Sequence, residues 1–145
     1  MDVFTKKKRS EVMARIRGRG NRSTERRFAA ILRARRISGW CLHSSQVAGH
    51  PDVFFPRHQL AIFVDGCFWH GCKECFRSPA QNRSFWMRKI LENVRRDRRI
   101  DRYLRRRGIS VMRVWEHDLE RRTSKVGILL GWIEQKLKRK FVPDR

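Results

Sequence analysis

Apolar positions along the chain recur with two different spacings, and the change from one to the other divides the sequence into helices and strands. Helical spacing predicts a basic helix over residues 6–17, followed by a Gly-Arg-Gly-Asn break. A second helix is expected to begin after an N-cap at Ser23 and to end near Arg36, with Glu25 in its first turn, where the helix dipole favours a carboxylate. Its core-facing positions are Phe28, Ile31 and Leu32.

Short extended segments fill the middle of the chain. They are expected around residues 40–42, 53–55 and 60–64, and the last two are predicted to form a hairpin across residues 56–58. The segment over residues 60–64 is almost wholly apolar, which is typical of a central strand.

The second half of the chain contains two more helical segments with a strand between them. A long helix is predicted over residues 84–107 and ends at Gly108, and a strand over residues 109–115 precedes a last amphipathic helix. The order ααβββαβα indicates one α/β domain over residues 1–145, with a mixed central sheet flanked by helices. The apolar positions of the two helices are Phe85, Ile90, Leu91, Val94 and Leu104, then Val126, Leu129, Leu130, Ile133 and Leu137.

The charge of the chain narrows the choice of partner. Its 145 residues include 36 Lys and Arg against 14 Asp and Glu, a net charge of +22, and nucleic acid is the partner expected to screen it. A ribosomal or nucleoid protein that merely coats a polyanion would explain the charge equally well. Because the sequence has neither a long apolar run nor a secretory signal, a cytoplasmic, nucleoid-associated protein is expected.

Two aspartates bracket the predicted hairpin. Asp52 opens one strand and Asp65 closes the next, so the hairpin should bring both carboxylates to one end of the sheet, where they could hold magnesium. This layout resembles the active site of the restriction-endonuclease superfamily, although Asp is also a common turn residue.

Three of the four cysteines lie within nine residues. Cys67, Cys72 and Cys75 have spacing typical of a structural zinc site, and a cytosolic protein uses such clusters for metals before disulfides. Cys41 stands apart and is expected to be a buried small hydrophobic residue.

Several motifs together resemble one nuclease family. Residues 63–72 read FVDGCFWHGC, and FW at 85–86, NVRRDRR at 93–99 and VWEH at 114–117 follow in order. From about residue 6 to residue 135 the chain closely resembles the Vsr mismatch endonucleases. The resemblance implies a restriction-endonuclease-like core over residues 21–137, a basic DNA-clamping arm over residues 1–20 and a basic tail over residues 138–145.

The resemblance also implies roles for individual residues. Asp52 matches the magnesium-binding carboxylate, the backbone carbonyl of Val64 can serve the same ion, and Glu25 matches an acid that holds water on the metal. His70 matches the catalytic histidine, which can take a proton from the attacking water. His117 occupies the position of the fourth zinc ligand beside the three cysteines.

Two positions depart from the family pattern. Asp65 stands where the best-known members have a histidine, and Cys67 occupies the position of the superfamily's usual lysine. Asp65 could therefore be a direct magnesium ligand or could orient His70, and both possibilities remain open. Cys75 is assigned to zinc on softness and spacing, because some relatives use histidines in this loop.

The remaining implied roles concern DNA contacts. Phe68, Trp69 and Trp86 resemble a wedge inserted beside the mismatch, although Trp86 could equally be a core residue. The arm residues Met13 and Ile16 resemble a clamp on the duplex, or the arm is simply a solvated charged segment. The expected phosphate-backbone contacts are Arg88, Lys89, Arg95, Arg96, Arg98 and Arg99.

The function implied is a magnesium-dependent endonuclease that nicks one strand 5′ of the thymine in T:G mismatches, which arise when 5-methylcytosine deaminates. Resynthesis by a DNA polymerase, contact with mismatch-repair proteins and a link to a cytosine-5 DNA methyltransferase follow from the resemblance, and the asymmetric substrate suggests a monomer. One alternative is a homing or restriction enzyme of the same fold. Another is a zinc-bearing DNA-binding protein without activity.

Overall fold

The computed structural model describes residues 24–121 and 123–139. The predicted helix over residues 6–17, with Met13 and Ile16, lies outside the described residues, as do the predicted N-cap Ser23 and most of the tail.

The helices and strands of the described part follow nearly the predicted order. Helix α1 covers residues 24–34. The other elements are β1 (Cys41–Leu42), β2 (Val53–Phe55), a 3₁₀ turn (Pro56–His58), β3 (Leu60–Asp65), α2 (Arg83–Arg106), β4 (Ser110–Trp115), α3 (Glu116–Arg121) and α4 (Ser124–Lys138). The short helix α3 was not predicted.

The four strands form one mixed sheet in the order β1-β2-β3-β4. The predicted hairpin is confirmed, since β2 and β3 are antiparallel with Val53 opposite Ile62. Strand β4 runs parallel to β3, and Asp65 pairs with Trp115 at their ends. The carboxyl ends of β3 and β4 therefore lie side by side, so the segments that follow the two strands are brought together.

Strand β3 is buried on both faces, as its apolar sequence predicted. Leu60 and Ile62 belong to one cluster of buried side chains, which includes residues of α1 and α4. Ala61 and Phe63 belong to another, which includes Leu104 of α2. Neighbouring side chains in a strand point to opposite faces, so one strand can serve both cores.

The expectation that Cys41 is buried was wrong, and two apolar positions of α2 are largely exposed. Phe85 and Leu91 are 59% and 49% exposed, because the first turns of α2 lie beside the loop after β3 and present only part of their circumference to it. Cys41 is exposed, on a two-residue strand at the edge of the sheet.

The loop before β2 approaches α2 closely at a glycine. Gly49 has φ +80°, and a Cβ atom there would lie 2.6 Å from Ile100 Cγ2. Only glycine fits this position without a backbone or side-chain shift.

None of the helices among the described residues is long and apolar enough to cross a membrane.

Candidate active site and metal centre

The loop after β3 is a compact series of turns. Backbone amides of His70 and Cys72 donate to the carbonyls of Gly66 and Cys67, at 3.1 and 2.9 Å. Asn93 of α2 donates its side-chain amide to the carbonyl of Trp69 at 3.0 Å. The loop is thus fixed to α2, and it carries catalytic, zinc-ligand and aromatic candidates within ten residues.

Asp52 lies at the start of β2, beside the end of β3. Its Oδ2 atom accepts a hydrogen bond from the Val64 amide at 2.6 Å. Burial, together with the negative charges of Glu25 and Asp65, raises the pKa of Asp52 to about 6, although the Val64 amide and His43 lower it. A carboxylate in such surroundings gains from a bound cation.

Glu25 and His43 form a pair next to Asp52. Glu25 is buried on α1, and its Oε2 atom contacts Nε2 of the exposed His43. His43 was not among the candidates from the sequence. Its position directly after β1, at the same end of the sheet as Asp52, is the signal that could have identified it, and its amide donates to the Asp52 carbonyl at 3.4 Å.

Asp65 and His70 lie close together, as the motif predicted, and α2 adds a second carboxylate. His70 Nδ1 is 2.5 Å from Asp97 Oδ2 and 3.8 Å from Asp65 Oδ1. Burial alone would lower the pKa of His70, but the hydrogen bond to Asp97 and the charge of Asp65 raise it overall. Asp97 was present in the quoted motif without a role, although an acid within a run of arginines was a usable signal.

Arg113 of β4 completes this second group. Its Nη1 atom donates to Asp65 Oδ1 at 2.8 Å, and its Nε and Nη2 atoms donate to Asp101. Burial raises the pKa of Asp65 overall, although the charges of His70 and Arg113 oppose the shift.

The structure thus places the predicted catalytic residues in two adjacent groups. One contains Glu25, Asp52 and the unpredicted His43, and the other contains Asp65 and His70. Ligand-capable atoms of Asp65, His70 and Asp97 all lie within 4.8 Å of one another, and Asp52 is not part of that set.

The four predicted zinc ligands converge at the other side of the loop. Ligand atoms of Cys67, Cys72, Cys75 and His117 lie within 4.8 Å of one another. The Nδ1 atom of His117 is 3.3 Å from Cys67 Sγ and 3.6 Å from Cys72 Sγ, so Nδ1 is the imidazole nitrogen that faces the thiols. Such a set can hold a metal ion.

Acidic groups lie against the other nitrogen of His117. Its Nε2 atom is 3.3 Å from Asp118 Oδ1 and 3.2 Å from Glu74 Oε2, without hydrogen-bond geometry. Asp118 is buried and accepts a hydrogen bond from the Thr123 hydroxyl at 2.9 Å.

The three predicted wedge residues form one aromatic cluster. The ring centroid of Phe68 lies 5.0 Å from that of Trp69 and 5.8 Å from that of Trp86. All three are half-buried against one another, so Trp86 belongs to this cluster and to neither sheet core. The exposed ring of Phe85 packs on Trp86.

The side chains expected to contact phosphates are all exposed on α2: Arg88, Lys89, Arg95, Arg96, Arg98 and Arg99.

Comparison with known proteins identifies the family. The profile of DNA mismatch endonuclease Vsr matches residues 1–77. DNA mismatch endonuclease Vsr of Escherichia coli (strain K12) is 36% identical over 117 residues, which cover 79% of this chain and 73% of that protein. The chain belongs to the Vsr family.

Other proteins similar to this chain have a different name. Type II nicking enzyme V.NmeDIP of Neisseria meningitidis serogroup C is 34% identical over 131 residues, covering 86% of this chain and 84% of the relative. Type II nicking enzyme V.NaeI of Lentzea aerocolonigenes is 44% identical over 68 residues, covering 47% of this chain and 41% of the relative. As a Vsr-type protein, the chain is a DNA endonuclease.

Proposed function

We propose that the chain nicks one DNA strand 5′ of the thymine in a T:G mismatch produced by 5-methylcytosine deamination, and so starts very short patch repair. The observation that carries the proposal is that two groups lie next to each other at one end of β2 and β3, Asp52 on the Val64 amide and Asp65 beside His70, with the exposed basic residues of α2 nearby. The E. coli relative's name, mismatch endonuclease, supports the substrate, and the name nicking enzyme borne by others supports a single-strand cut.

Magnesium is the proposed catalytic ion, held by Asp52, Asp65 and the Val64 carbonyl, with Glu25 holding its water. The donors fit, because all are oxygen atoms, and because burial first, and then the charges of Glu25 and Asp65, raise the pKa of Asp52, so that a bound cation would favour its ionised form. The Val64 amide points to Asp52, and the N–H and C=O of one strand residue lie on the same edge, so the carbonyl faces the same side. When bound, the ion supplies positive charge at the scissile phosphate.

His70 is the proposed general base. Its Nδ1 atom is engaged by Asp97, which leaves Nε2 to take the proton from the attacking water. The carboxylate contact fixes the ring in one orientation, and that orientation decides whether Nε2 faces the phosphate.

Zinc is the proposed ion of the Cys67, Cys72, Cys75 and His117 set. Three sulfur donors and one imidazole nitrogen, largely withdrawn from solvent, suit zinc better than a hard cation. Its proposed contribution is to the rigidity of the loop that carries His70.

Three sets of residues are proposed to contact DNA. Phe68, Trp69 and Trp86 would stack on bases beside the mismatch, and stacking worth about 1–3 kcal/mol per base would offset the cost of opening the duplex. The α2 basic residues would hold the phosphate backbone, and the arm with Met13 and Ile16 would clamp the duplex. DNA polymerase, mismatch-repair proteins and a cytosine-5 methyltransferase are the proposed functional partners of a monomeric protein at the nucleoid.

The deciding experiment compares matched duplexes that differ only in one base pair. The chain is incubated with magnesium and end-labelled T:G or T:A duplexes, with Asp52→Asn beside it and Glu134→Gln as the control that removes a half-buried carboxylate of α4. We expect nicking of the thymine strand in T:G duplexes alone, loss of nicking in Asp52→Asn with DNA binding retained, and no change in Glu134→Gln.

Three other outcomes would contradict the proposal. Cutting of both strands of a matched duplex would indicate a homing or restriction enzyme. Nicking that tracks flanking sequence and ignores the mismatch would remove the T:G specificity. DNA binding without any cleavage, unchanged by Asp52→Asn, would indicate a binding protein.

A further inference from the structure

Arg113 lies where the sheet, the loop and α2 meet, and none of the proposed roles uses it. It stands on β4 with its guanidinium carbon 4.4 Å from the centroid of the Phe63 ring. Its side chain is 20% exposed, so the charge is largely withdrawn from solvent and needs partners.

The partners of Arg113 come from two different elements. Nη1 donates to Asp65 Oδ1 at the end of β3, at 2.8 Å. Nε and Nη2 donate to Asp101 of α2, at 3.0 and 2.7 Å. Nη2 also lies 3.8 Å from Asp97 Oδ1, one turn earlier on the same helix. A rigid fork of donors can fix the relative position of the carboxylates it joins, which a point charge does less well.

The carboxylates joined by Arg113 include both acids that face His70. Asp97 and Asp65 lie 2.5 and 3.8 Å from its Nδ1 atom. Burial raises the pKa of Asp97, but His70 and Arg113 lower it overall, which keeps the carboxylate ionised beside the imidazole. The ring orientation of His70 therefore depends on carboxylates that Arg113 holds.

We propose that Arg113 is a positioning residue, which fixes the Asp65 and Asp97 carboxylates and through them the His70 ring during strand cleavage. The inference rests on the proposed nuclease function. It also gives a physical reason for an aspartate at position 65, because the buried carboxylate has a guanidinium partner on the neighbouring strand.

The test compares Arg113→Met, Arg113→Lys and the matched control Arg35→Met, which removes an exposed arginine paired with Glu134. Single-turnover nicking of the T:G duplex is measured with magnesium, and DNA affinity is measured with calcium. We expect Arg113→Met to lower the cleavage rate on the order of 10²-fold, as a misplaced catalytic group does, with DNA affinity unchanged. Arg113→Lys should fall between Arg113→Met and wild type, and Arg35→Met should match wild type.

A second variant separates positioning from simple structural support. Asp101→Asn keeps Arg113, Asp65 and His70 and removes only the charge of the carboxylate at the other edge of the guanidinium, so its cleavage rate should fall between those of Arg113→Met and wild type. If Asp101→Asn or Arg113→Met cleaves at the wild-type rate, the proposal is overturned.

Imidazole ¹⁵N spectra of His70 give a readout independent of cleavage. Wild type and Arg35→Met should show the proton on Nδ1, and Arg113→Met should lose that signature. Unchanged spectra in Arg113→Met would overturn the positioning role. If wild type nicks no duplex, the proposed function fails, while the spectra still decide the role of Arg113. Should Arg113→Met not fold, Asp101→Asn loosens the same guanidinium from its other edge and is expected to give the same spectral change.

Discussion

Buried polar side chains mark the two sites at the scale of single residues. In the described part of the chain they are Thr24, Glu25, Asp65, His117 and Asp118. Apart from Thr24, which adjoins Glu25 in sequence, each belongs to the candidate active site or to the cysteine centre. Burying such groups costs free energy that the sheet and helices must offset, so these positions reflect function more than stability.

The raised pKa of Asp52 predicts a pH-dependent stability. The folded-state pKa is about 6 and the unfolded value is 3.8, so this group's contribution is fully present below the lower value and is lost as pH rises through the higher one. At pH 7.5 without divalent ions, Asp52→Asn should therefore raise the free energy of unfolding by about 1–3 kcal/mol. Urea unfolding at pH 4.5 and 7.5 measures the difference.

Two comparisons check the origin of that gain. The gain should shrink at pH 4.5, and magnesium should stabilise wild type more than Asp52→Asn. Equal stability of the two proteins at pH 7.5 would mean that Asp52 is not strained by its surroundings.

Asp118 is predicted to orient the His117 ligand. Carboxylates next to a ligating imidazole strengthen metal binding, so Asp118→Asn should weaken zinc affinity about 10–100-fold in a chelator competition. Glu120→Gln, an exposed change on the same helix, should leave the affinity unaltered. Thr123→Val replaces the hydroxyl that bonds Asp118 with a methyl group of similar size, and an equal loss in that variant would assign the effect to the α3–α4 junction instead of the imidazole.

Side-chain chemistry was predictable from the sequence where a motif fixes the spacing, and less so elsewhere. The four zinc candidates meet because three share the short loop after β3, and the fourth follows β4, which runs parallel to β3. His43 and Arg113 were missed because their roles depend on which strands are neighbours, and no local pattern contains that information.

Elements were predicted well where one periodicity persists. Strand β2 has the predicted bounds, β3 and β4 differ by one residue at one end, and α2 differs by one residue at each end. Helix α3 was missed because it is six residues long and follows β4 without a break. Phe85 and Leu91 follow the apolar spacing of α2 and are still exposed, since spacing shows which residues share a face but not how much of the helix is covered.

The contact between the loop before β2 and helix α2 predicts a large effect of one methyl group. Gly49→Ala combines a positive φ with an overlap on Ile100, and it should destabilise the fold by about 2–4 kcal/mol. Gly39→Ala is the matched control, because Gly39 has φ +84° with nothing near its Cβ position, and it should cost only about 1–2 kcal/mol. Thermal unfolding of both variants gives the difference, and equal losses would show that Ile100 moves aside freely.

At the scale of the whole molecule, positive charge governs encounter with DNA. The net charge of +22 and the exposed basic residues of α2 predict binding that weakens steeply with salt. Alanine at Arg95, Arg98 and Arg99 together should reduce the slope of log affinity against log salt by up to about 2.7. The preference for T:G over T:A should stay the same, because phosphate contacts carry no base information.

Fluorescence anisotropy over a salt series measures that slope. Arg35→Ala, directly after α1, is the single-charge control and should leave the slope almost unchanged. A triple variant with the wild-type slope would place the duplex on another face of the protein.

The parallel pairing of β3 with β4 has a consequence for folding. Cys67 and His117 each lie two residues beyond the paired ends Asp65 and Trp115, so a slip of one residue would shift them by about 3.3 Å and turn one side chain to the opposite face. A tetrahedral ion tolerates no such displacement. Metal binding would thus require the native register of β3 and β4, so only chains in which these two strands are correctly paired could bind the ion.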